Sequence, residues 1–204
     1  MTIPEAKKYI QELRKRQDNP YLWPDYLTGL PDKAAIIRTL DAVYPKIGQY
    51  AVVYLRIANI HPYLIKYGPD KHAEIIQWAA AILKTACDQC PGCFVGTVST
   101  HDFMIMCRTK NIAKHMKSAL ATFNRKMHSY YVKEDLKSRT TLSFSRNGDL
   151  VRVGLMRMVA VVADSRPRVD KSLLIREMGR ACDQVESGDK DVVFFSEIKD
   201  ILAS

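Results

Sequence analysis

Residues 50–57 form a near-continuous apolar run that contains β-branched residues, and this run limits the possible folds more than any other segment. A half-buried strand alternates apolar and polar side chains, whereas an unbroken apolar run is typical of a strand covered on both faces. We therefore expect residues 50–57 to be a central strand. Its sheet then needs helices packed against it, which favours a layered structure of mixed α and β elements.

Strand and helix patterns follow one another along the rest of the chain. Between two short apolar runs, Arg146-Asn147-Gly148-Asp149 is a strong turn signal that predicts a β-hairpin. The resulting order, β-α-α-β-β-α-β with an added hairpin, predicts one sheet with antiparallel strands and helices packed against it. The predicted helices are 31–45, 58–67, 70–88, 112–127 and 172–185, and the predicted strands are 50–57, 94–98, 103–107, 140–144, 150–153, 156–163 and 192–195.

The chain length of 204 residues fits one domain that carries a short extension. Residues 5–16 have the pattern of a polar helix in which Ile10 and Leu13 are the only strongly apolar positions. Because that apolar face is too small to stabilise an isolated helix, we expect it to pack against a second copy or to project from the domain. The predicted organisation is an N-terminal helix at 1–18 and one domain at 19–204.

The composition, 47% hydrophobic and 26% charged, is that of a folded globular protein and excludes a disordered chain. No apolar stretch approaches the ~20 residues that a membrane span needs, and residues 1–10 lack the apolar core of a signal peptide. Five cysteines, an odd number, do not suggest the disulfide framework of a secreted protein. The sequence therefore predicts a cytoplasmic location.

The net charge of +9 is concentrated in one segment of the chain. Residues 104–157 hold twelve lysines and arginines and three acidic residues, an excess of nine positive charges. In the remainder of the chain the basic and acidic residues are therefore equal in number. Such a segment is able to attract nucleotides, nucleic acid or an acidic partner. Most charged runs, however, only keep a helix face or a hairpin solvated, and that interpretation is the simpler one.

Three cysteines, Cys87, Cys90 and Cys93, are spaced as two overlapping C-x-x-C steps. Thiolates at this spacing could bind Zn²⁺ or an iron–sulfur cluster, but a fourth ligand is not evident nearby. Cys107 is expected on a neighbouring strand and facing the core. We expect ordinary structural cysteines and no metal, although the sequence leaves a metal site at Cys87, Cys90 and Cys93 open.

The run Asp25-Tyr26-Leu27-Thr28-Gly29-Leu30-Pro31 closely matches the pattern D-x-L-T-G-L-P of GGDEF domains. The chain resembles this family, the diguanylate cyclases, over roughly residues 25–195. The resemblance implies an α+β, palm-like sandwich related to nucleotidyl cyclases and ferredoxin-like folds, with a mostly antiparallel central sheet and an extra β-hairpin. Active members join two GTP molecules into cyclic di-GMP and use carboxylates to hold the metal ions that bridge the triphosphate.

The resemblance also implies that four positions of the nucleotide site have lost their function. Arg56 and Ala58 stand where active members have two aspartates at the end of the first strand, and a guanidinium repels Mg²⁺. Leu64 and Ala73 stand where the family has the asparagine and aspartate that bind the guanine edge. We therefore expect no cofactor and no metal at these four residues.

The hairpin that carries catalysis in the family is altered as well. Its five positions hold Ser99, Thr100, His101, Asp102 and Phe103, so no catalytic residue is assigned. Ser99 and Thr100 replace glycines that let the backbone approach a phosphate. We expect Asp102 to accept hydrogen bonds beside the turn, His101 to be a lone surface histidine, and Phe103 to anchor the hairpin in the core.

Three functions stay open at this level. The first, which explains the lost positions with the fewest assumptions, is a catalytically inactive GGDEF-like domain that serves bacterial nucleotide second-messenger signalling as a regulatory or interaction module. It would act through a protein partner or self-association, and its nucleotide binding would be weak or absent. The second is an active nucleotide cyclase with unusual site residues. The third is a basic nucleic-acid-binding domain that uses Lys114, Lys117, Arg125 and Lys126 on phosphates.

Overall fold

A five-stranded sheet forms the centre of the molecule. The computed structural model describes residues 25–108, 112–144 and 147–198. Its strands are β1 (Ala51–Ala58), β2 (Phe94–Ser99), β3 (Asp102–Cys107), β4 (Thr140–Phe144), β5 (Leu150–Gly154), β6 (Arg157–Ala163) and β7 (Val192–Phe194). The central sheet has the order β2-β3-β1-β6-β7, while β4 and β5 pair in a separate hairpin. The β6–β7 pairing is parallel and the other pairings are antiparallel, as expected for a mostly antiparallel α+β sheet.

Helices cover both faces of the sheet, and their positions confirm the five helices predicted from the sequence. A sixth helix, at Lys133–Ser138, was not expected, because one and a half turns carry too little periodicity to be recognised. The predicted helix at 5–16 lies outside the described residues. The helices are α1 (Lys33–Val43), α2 (Ile60–Tyr67), α3 (His72–Asp88), α4 (Ile112–Met127), α5 (Lys133–Ser138) and α6 (Lys171–Glu186).

Strand β1 divides the interior into two apolar clusters, and this confirms its predicted central position. Val53 and Leu55 point to the side on which α3 and α4 pack, whereas Val52 and Tyr54 point to the side of α1 and α6. Seven of its eight residues are buried, and Arg56 is the exception. Burying each large aliphatic side chain stabilises the fold by about 1.5–3 kcal/mol, so β1 contributes to both halves of the core.

The motif at 25–31, here called the latch, forms a loop that hydrogen bonds hold on the sheet. One carboxylate oxygen of Asp25 accepts hydrogen bonds from the backbone N–H groups of Leu27 (3.1 Å) and Thr28 (2.9 Å) and from the Thr28 hydroxyl (3.0 Å). The Thr28 hydroxyl also lies 2.9 Å from that of Thr97 on β2. Gly29 adopts φ +68°, a left-handed conformation that strains other residues.

Gly96 on β2 lets the latch and α1 approach the sheet closely. A Cβ atom at this position would lie 2.7 Å from Cγ1 of Ile36 and 2.9 Å from the carbonyl oxygen of Pro31. The same carbonyl accepts a 2.8 Å hydrogen bond from the backbone N–H of Thr97. A side chain at position 96 would therefore push the latch off β2.

The β4–β5 hairpin is anchored to the domain through one buried carboxylate on α5. Asp135 accepts hydrogen bonds from Lys66 Nζ, at 2.6 Å to each oxygen, from the Tyr67 hydroxyl and from the Thr141 hydroxyl on β4 at 3.2 Å. Burial favours the protonated acid, but the bonds from Lys66 and Tyr67 outweigh it and lower the pKa of Asp135. Asp135 therefore connects α2, α5 and β4 as a charged group.

No described helix is long and apolar enough to cross a membrane.

Candidate functional site

Arg56 projects from β1 at the edge where the β2–β3 turn and α6 meet. Cross-strand pairing places it directly opposite Asp102, and its Nε atom donates a 2.7 Å hydrogen bond to Oδ1 of that residue. Its Nη1 atom pairs with the carboxylate of Asp183 on α6. The other oxygen of Asp102 accepts a 2.6 Å hydrogen bond from the Ser99 hydroxyl. The sequence predicted Asp102 as an acceptor beside the turn, but it did not predict Asp183 as a second carboxylate on Arg56.

The surroundings keep the guanidinium of Arg56 charged and the hydroxyl of Tyr54, which packs against it, neutral. Burial alone would lower the pKa of Arg56, but the hydrogen bond and charge of Asp102 outweigh it and raise the pKa. The guanidinium carbon lies 5.9 Å from the ring centre of Tyr54, whose pKa is raised by burial and by Asp102. Gly179 permits this packing, because a Cβ atom there would lie 3.3 Å from the Tyr54 hydroxyl oxygen.

The start of α2 is occupied by a carboxylate of the chain itself. The backbone N–H of Asn59 donates a 2.9 Å hydrogen bond to Oε1 of Glu186, in the last turn of α6. The N-terminus of a helix favours anions, since its first N–H groups lack intrahelical partners. Ala58, directly before it, is fully buried, and its side chain has no ligating atom. This end of β1 therefore holds charged groups of the chain that already have partners.

The two remaining positions of the implied nucleotide site are apolar in the structure. Leu64 lies on α2, partly buried against the core, and Ala73 lies exposed in the first turn of α3. Neither side chain can donate or accept a hydrogen bond, so neither can recognise the edge of a base through hydrogen bonds.

His101, at the tip of the β2–β3 turn, meets two other histidines. Its Nε2 atom lies 2.8 Å from Nε2 of His72 on α3, and its ring centre is 5.1 Å from those of His72 and His61. Burial and the two neighbouring imidazoles lower the pKa of His101 to about 4, so the ring is neutral near pH 7. The expectation of a lone surface histidine is therefore wrong, since α2 and α3 each bring a histidine to the turn.

A cavity of about 650 Å³ opens beside Arg56, between α1, α6 and the β2–β3 turn. Its volume lies within the range of small-molecule sites. An ion pair of 2.8 Å between Lys171 Nζ and Asp41 Oδ1 connects the two helices at its wall. Side chains that line the cavity include Lys33, Asp41, Tyr54, Arg56, Asp102 and Lys171.

The remaining candidate residues lie apart from this cavity. Phe103 is fully buried and anchors the hairpin, as predicted. Thr100 lines a smaller pocket beside the latch. Cys87, Cys90 and Cys93 lie near the start of β2, at the opposite end of the strand from the turn. Among the described residues, no group of three or more histidine, cysteine, aspartate or glutamate side chains is arranged to hold a metal ion.

The four basic residues predicted for phosphate binding all lie on α4. Lys114, Lys117 and Arg125 are exposed. Lys126 Nζ lies 4.6 Å from the ring centre of Trp78 and 5.3 Å from that of Tyr130, so cation–π contacts hold it on the protein surface.

Comparison with known proteins identifies the fold. No protein-family model matches the chain, and no curated protein matches it significantly. Among solved structures, the coiled coil and GGDEF domain of DgcB from Caulobacter crescentus, in complex with c-di-GMP, is 13% identical over 94% of this chain and 93% of that one, with a TM-score of 0.61. Diguanylate cyclase SiaD from Pseudomonas aeruginosa, in complex with its activator SiaC, is 15% identical over 94% of this chain and 68% of that one, with a TM-score of 0.61.

A third solved structure, a diguanylate cyclase/phosphodiesterase from Caldicellulosiruptor saccharolyticus, is 20% identical over 84% of this chain and 91% of that one, with a TM-score of 0.53. At such identities the likeness establishes the fold. The chain has the fold of GGDEF domains, as the sequence resemblance implied.

Proposed function

We propose that this domain is catalytically inactive and serves cyclic di-GMP signalling as a regulatory or interaction module in the bacterial cytoplasm. The observation that carries the proposal is the state of Arg56. A guanidinium stands at the strand end where the family resemblance implies a metal-binding carboxylate, and it is bound to Asp102 and Asp183.

Phosphoryl transfer between two nucleotides needs carboxylates to hold divalent cations against the phosphates. At this strand end the guanidinium of Arg56 repels a cation and the side chain of Ala58 offers no ligand, while the carboxylate of Asp102 is bound by Arg56 and Ser99. The imidazoles of His72 and His101 contact each other through their Nε2 atoms. These arrangements support the loss of metal-dependent catalysis.

The direct test is a turnover assay of the purified chain with GTP and Mg²⁺ or Mn²⁺, analysed by chromatography beside an active diguanylate cyclase. We expect no cyclic di-GMP above the protein-free blank. Accumulation of product would overturn the proposal and favour a cyclase with unusual site residues. The variant R56A distinguishes a site that Arg56 only blocks from a site that lacks its ligands. If Arg56 only blocks an otherwise intact site, its removal should give activity.

Residual nucleotide binding without metal is a second candidate activity, and the cavity beside Arg56 favours it. A guanidinium and the nearby Lys33 and Lys171 are able to attract phosphate oxygens without Mg²⁺. Because Leu64 and Ala73 cannot hydrogen-bond a base, such binding would be weak and similar for GTP and ATP.

Calorimetric titration of both nucleotides, with Mg²⁺ and with EDTA, tests this candidate. We expect any affinity to be insensitive to EDTA, to fall in R56M and to persist in R125M, which removes the same charge from α4. Equal losses in the two variants would indicate nonspecific attraction by net charge. Tight, metal-dependent and GTP-selective binding would contradict the inactive assignment itself.

An exposed apolar pair on the β4–β5 hairpin supports a role in protein interaction. Phe144 and Leu150 face each other across the β4–β5 hairpin and are both more than half exposed, beside the basic Arg152. SiaD, a protein of the same fold, is seen in complex with an activator protein. We propose in addition that the helix predicted within residues 1–18 mediates self-association of the domain at 19–204.

Light scattering of the full chain and of a variant lacking residues 1–18 tests self-association. We expect the full chain to form oligomers at micromolar concentration and the shortened chain to be monomeric. An unchanged oligomeric state together with a large loss of stability would place the helix in the core of the domain instead.

A further inference from the structure

Four of the five cysteines in the chain lie together at the end of β2 and β3 that is remote from the turn. Cys87 is in the last turn of α3, Cys90 lies in the loop that follows, Cys93 directly precedes β2, and Cys107 ends β3. The Sγ atoms of Cys93 and Cys87 are 2.8 Å apart. Cys107 interacts with Cys93 and Cys90, so the four thiols form one cluster.

We infer that Cys87 and Cys93 are a site of reversible disulfide formation. A disulfide has an S–S distance of about 2.05 Å, so the two sulfur atoms have to move together by less than ~1 Å. Two thiolates on one Zn²⁺, each about 2.3 Å from the ion, would lie ~3.8 Å apart, and the pair would have to separate. The contact is therefore closer to a disulfide than to a metal site.

The loop between the two cysteines already holds the conformation that brings them together. The backbone N–H of Cys90 donates to the Cys87 carbonyl oxygen at 2.9 Å, and that of Cys93 donates to the Cys90 carbonyl oxygen at 3.1 Å. Gly92 takes φ +70°, which reverses the chain before β2. Because these turns exist in the reduced protein, forming the bond requires little further ordering of the loop.

Exposure decides which sulfur reacts first. Cys93 is partly exposed, whereas only 3% of the Cys87 surface is accessible. With a peroxide as oxidant, the Cys93 thiolate attacks one oxygen, the O–O bond breaks, and a sulfenic acid and one water form after proton transfer. The Cys87 sulfur then attacks the sulfenic sulfur and displaces a second water. Two thiols and one hydrogen peroxide thus give one disulfide and two waters.

The environment makes this oxidation slow. The hydrogen bond to Cys87 and burial both raise the pKa of Cys93, and burial raises the pKa of Cys107 to about 12. Thiolate is therefore scarce near neutral pH, and the attack on peroxide is slower than that of an exposed cysteine. The pair responds to sustained oxidation rather than to brief exposure.

Mass spectrometry of the full chain after treatment with hydrogen peroxide tests the inference. We expect a loss of about 2 Da that dithiothreitol reverses, and a thermal midpoint raised by a few degrees. Cleavage before Asp88 and Asp102 separates Cys87, Cys93 and Cys107 into different fragments, while Cys90 stays in the fragment of Cys93. A linked pair of fragments therefore distinguishes bonds to Cys87 from bonds to Cys107, and the C93S variant distinguishes Cys93 from Cys90. The bond is expected between the fragments of Cys87 and Cys93.

Four single variants complete the experiment. C87S and C93S are expected to lose the 2 Da change, while C107S keeps it. C182S is the matched control, since Cys182 is buried in the other apolar cluster, beside the Tyr54 carbonyl oxygen. Three results would each overturn the inference: a bond to Cys107, stable sulfinic acid on Cys93 of the unmutated chain, or bound zinc that protects the thiols. If a variant fails to fold, the result on the unmutated chain decides.

Discussion

The latch at 25–31 and the turn at 99–102 both touch β2, but they differ in what their residues do. In the latch, Asp25 and Thr28 satisfy backbone and side-chain partners inside the loop and on β2, and the family pattern is kept there. In the turn, Asp102 and His101 instead bind side chains of β1 and α3, and Arg56 of β1 also pairs with Asp183 on α6. The difference indicates that the residues needed to build this fold are separable from those at the turn.

The largest expected effect concerns Phe103, which follows the turn on β3. Phe103→Ala should reduce the free energy of unfolding by about 3–5 kcal/mol, because it empties a fully buried aromatic site. The neighbouring Thr100→Ala should change it by less than about 0.5 kcal/mol, since Thr100 is exposed. Urea denaturation of both variants measures the contrast. Similar losses for the two would mean that the turn is structural throughout.

In the latch, Asp25→Ala should cost about 2–3 kcal/mol, since three hydrogen bonds to one carboxylate oxygen are lost. Asp32→Ala is the matched control, because it removes only the N-cap bond of α1, from the Ala35 N–H at 2.9 Å, at a cost of about 1 kcal/mol. The two unfolding curves should therefore separate. If the Asp25 variant were the more stable of the two, the latch would not have the structural role described.

The ion pair at the strand end should give a smaller effect that depends on its partner. Arg56→Met leaves Asp102 without its cationic partner and should destabilise the protein by about 1–3 kcal/mol, because that carboxylate is mostly buried. Asp183→Asn should change stability by less than about 1 kcal/mol, since Asp183 is largely exposed. A double-mutant cycle of Arg56→Met with Asp102→Asn measures the coupling directly, and additive losses would show that the pair is not coupled.

The effect expected to be smallest at neutral pH is a change in pH dependence at the cluster of His61, His72 and His101. The pKa of His101, which faces His61, His72, Asp102 and Arg56, is about 4 in the folded protein against an ordinary 6.5. Between these values the unfolded chain binds a proton that the folded chain does not, so folding stability falls as the pH is lowered from 6.5 towards 4. His101→Asn should remove this part of the loss. His128→Asn, an exposed control, should keep the steeper decline; equal slopes in the two variants would contradict the assignment.

Sequence patterns were sufficient for the strands and for five of the six helices in the part of the chain that the structure describes. They were insufficient for the partners that occupy the site. Asp183 and Glu186 are 127 positions from the residues they bind, and only the packing of α6 on β1 brings them there. The meeting of His61, His72 and His101 likewise depends on how α2, α3 and the turn converge. No local periodicity carries such information, because charged residues on α6 satisfy a solvent-exposed pattern equally well.

Glu186 gives the start of α2 an internal competitor for any anion. A group tethered to the same chain acts at an effective concentration on the order of millimolar or higher, so a free anion has to exceed that level or bind more strongly to displace it. If the occupied state is favoured by about 2 kcal/mol, the apparent affinity of an external phosphate falls roughly 30-fold. Small anions at lower concentration would then leave this position unchanged. A ligand that accepts the hydrogen bond from the Asn59 backbone N–H in place of Glu186 would also release the last turn of α6 from α2. This contact therefore couples the two helices.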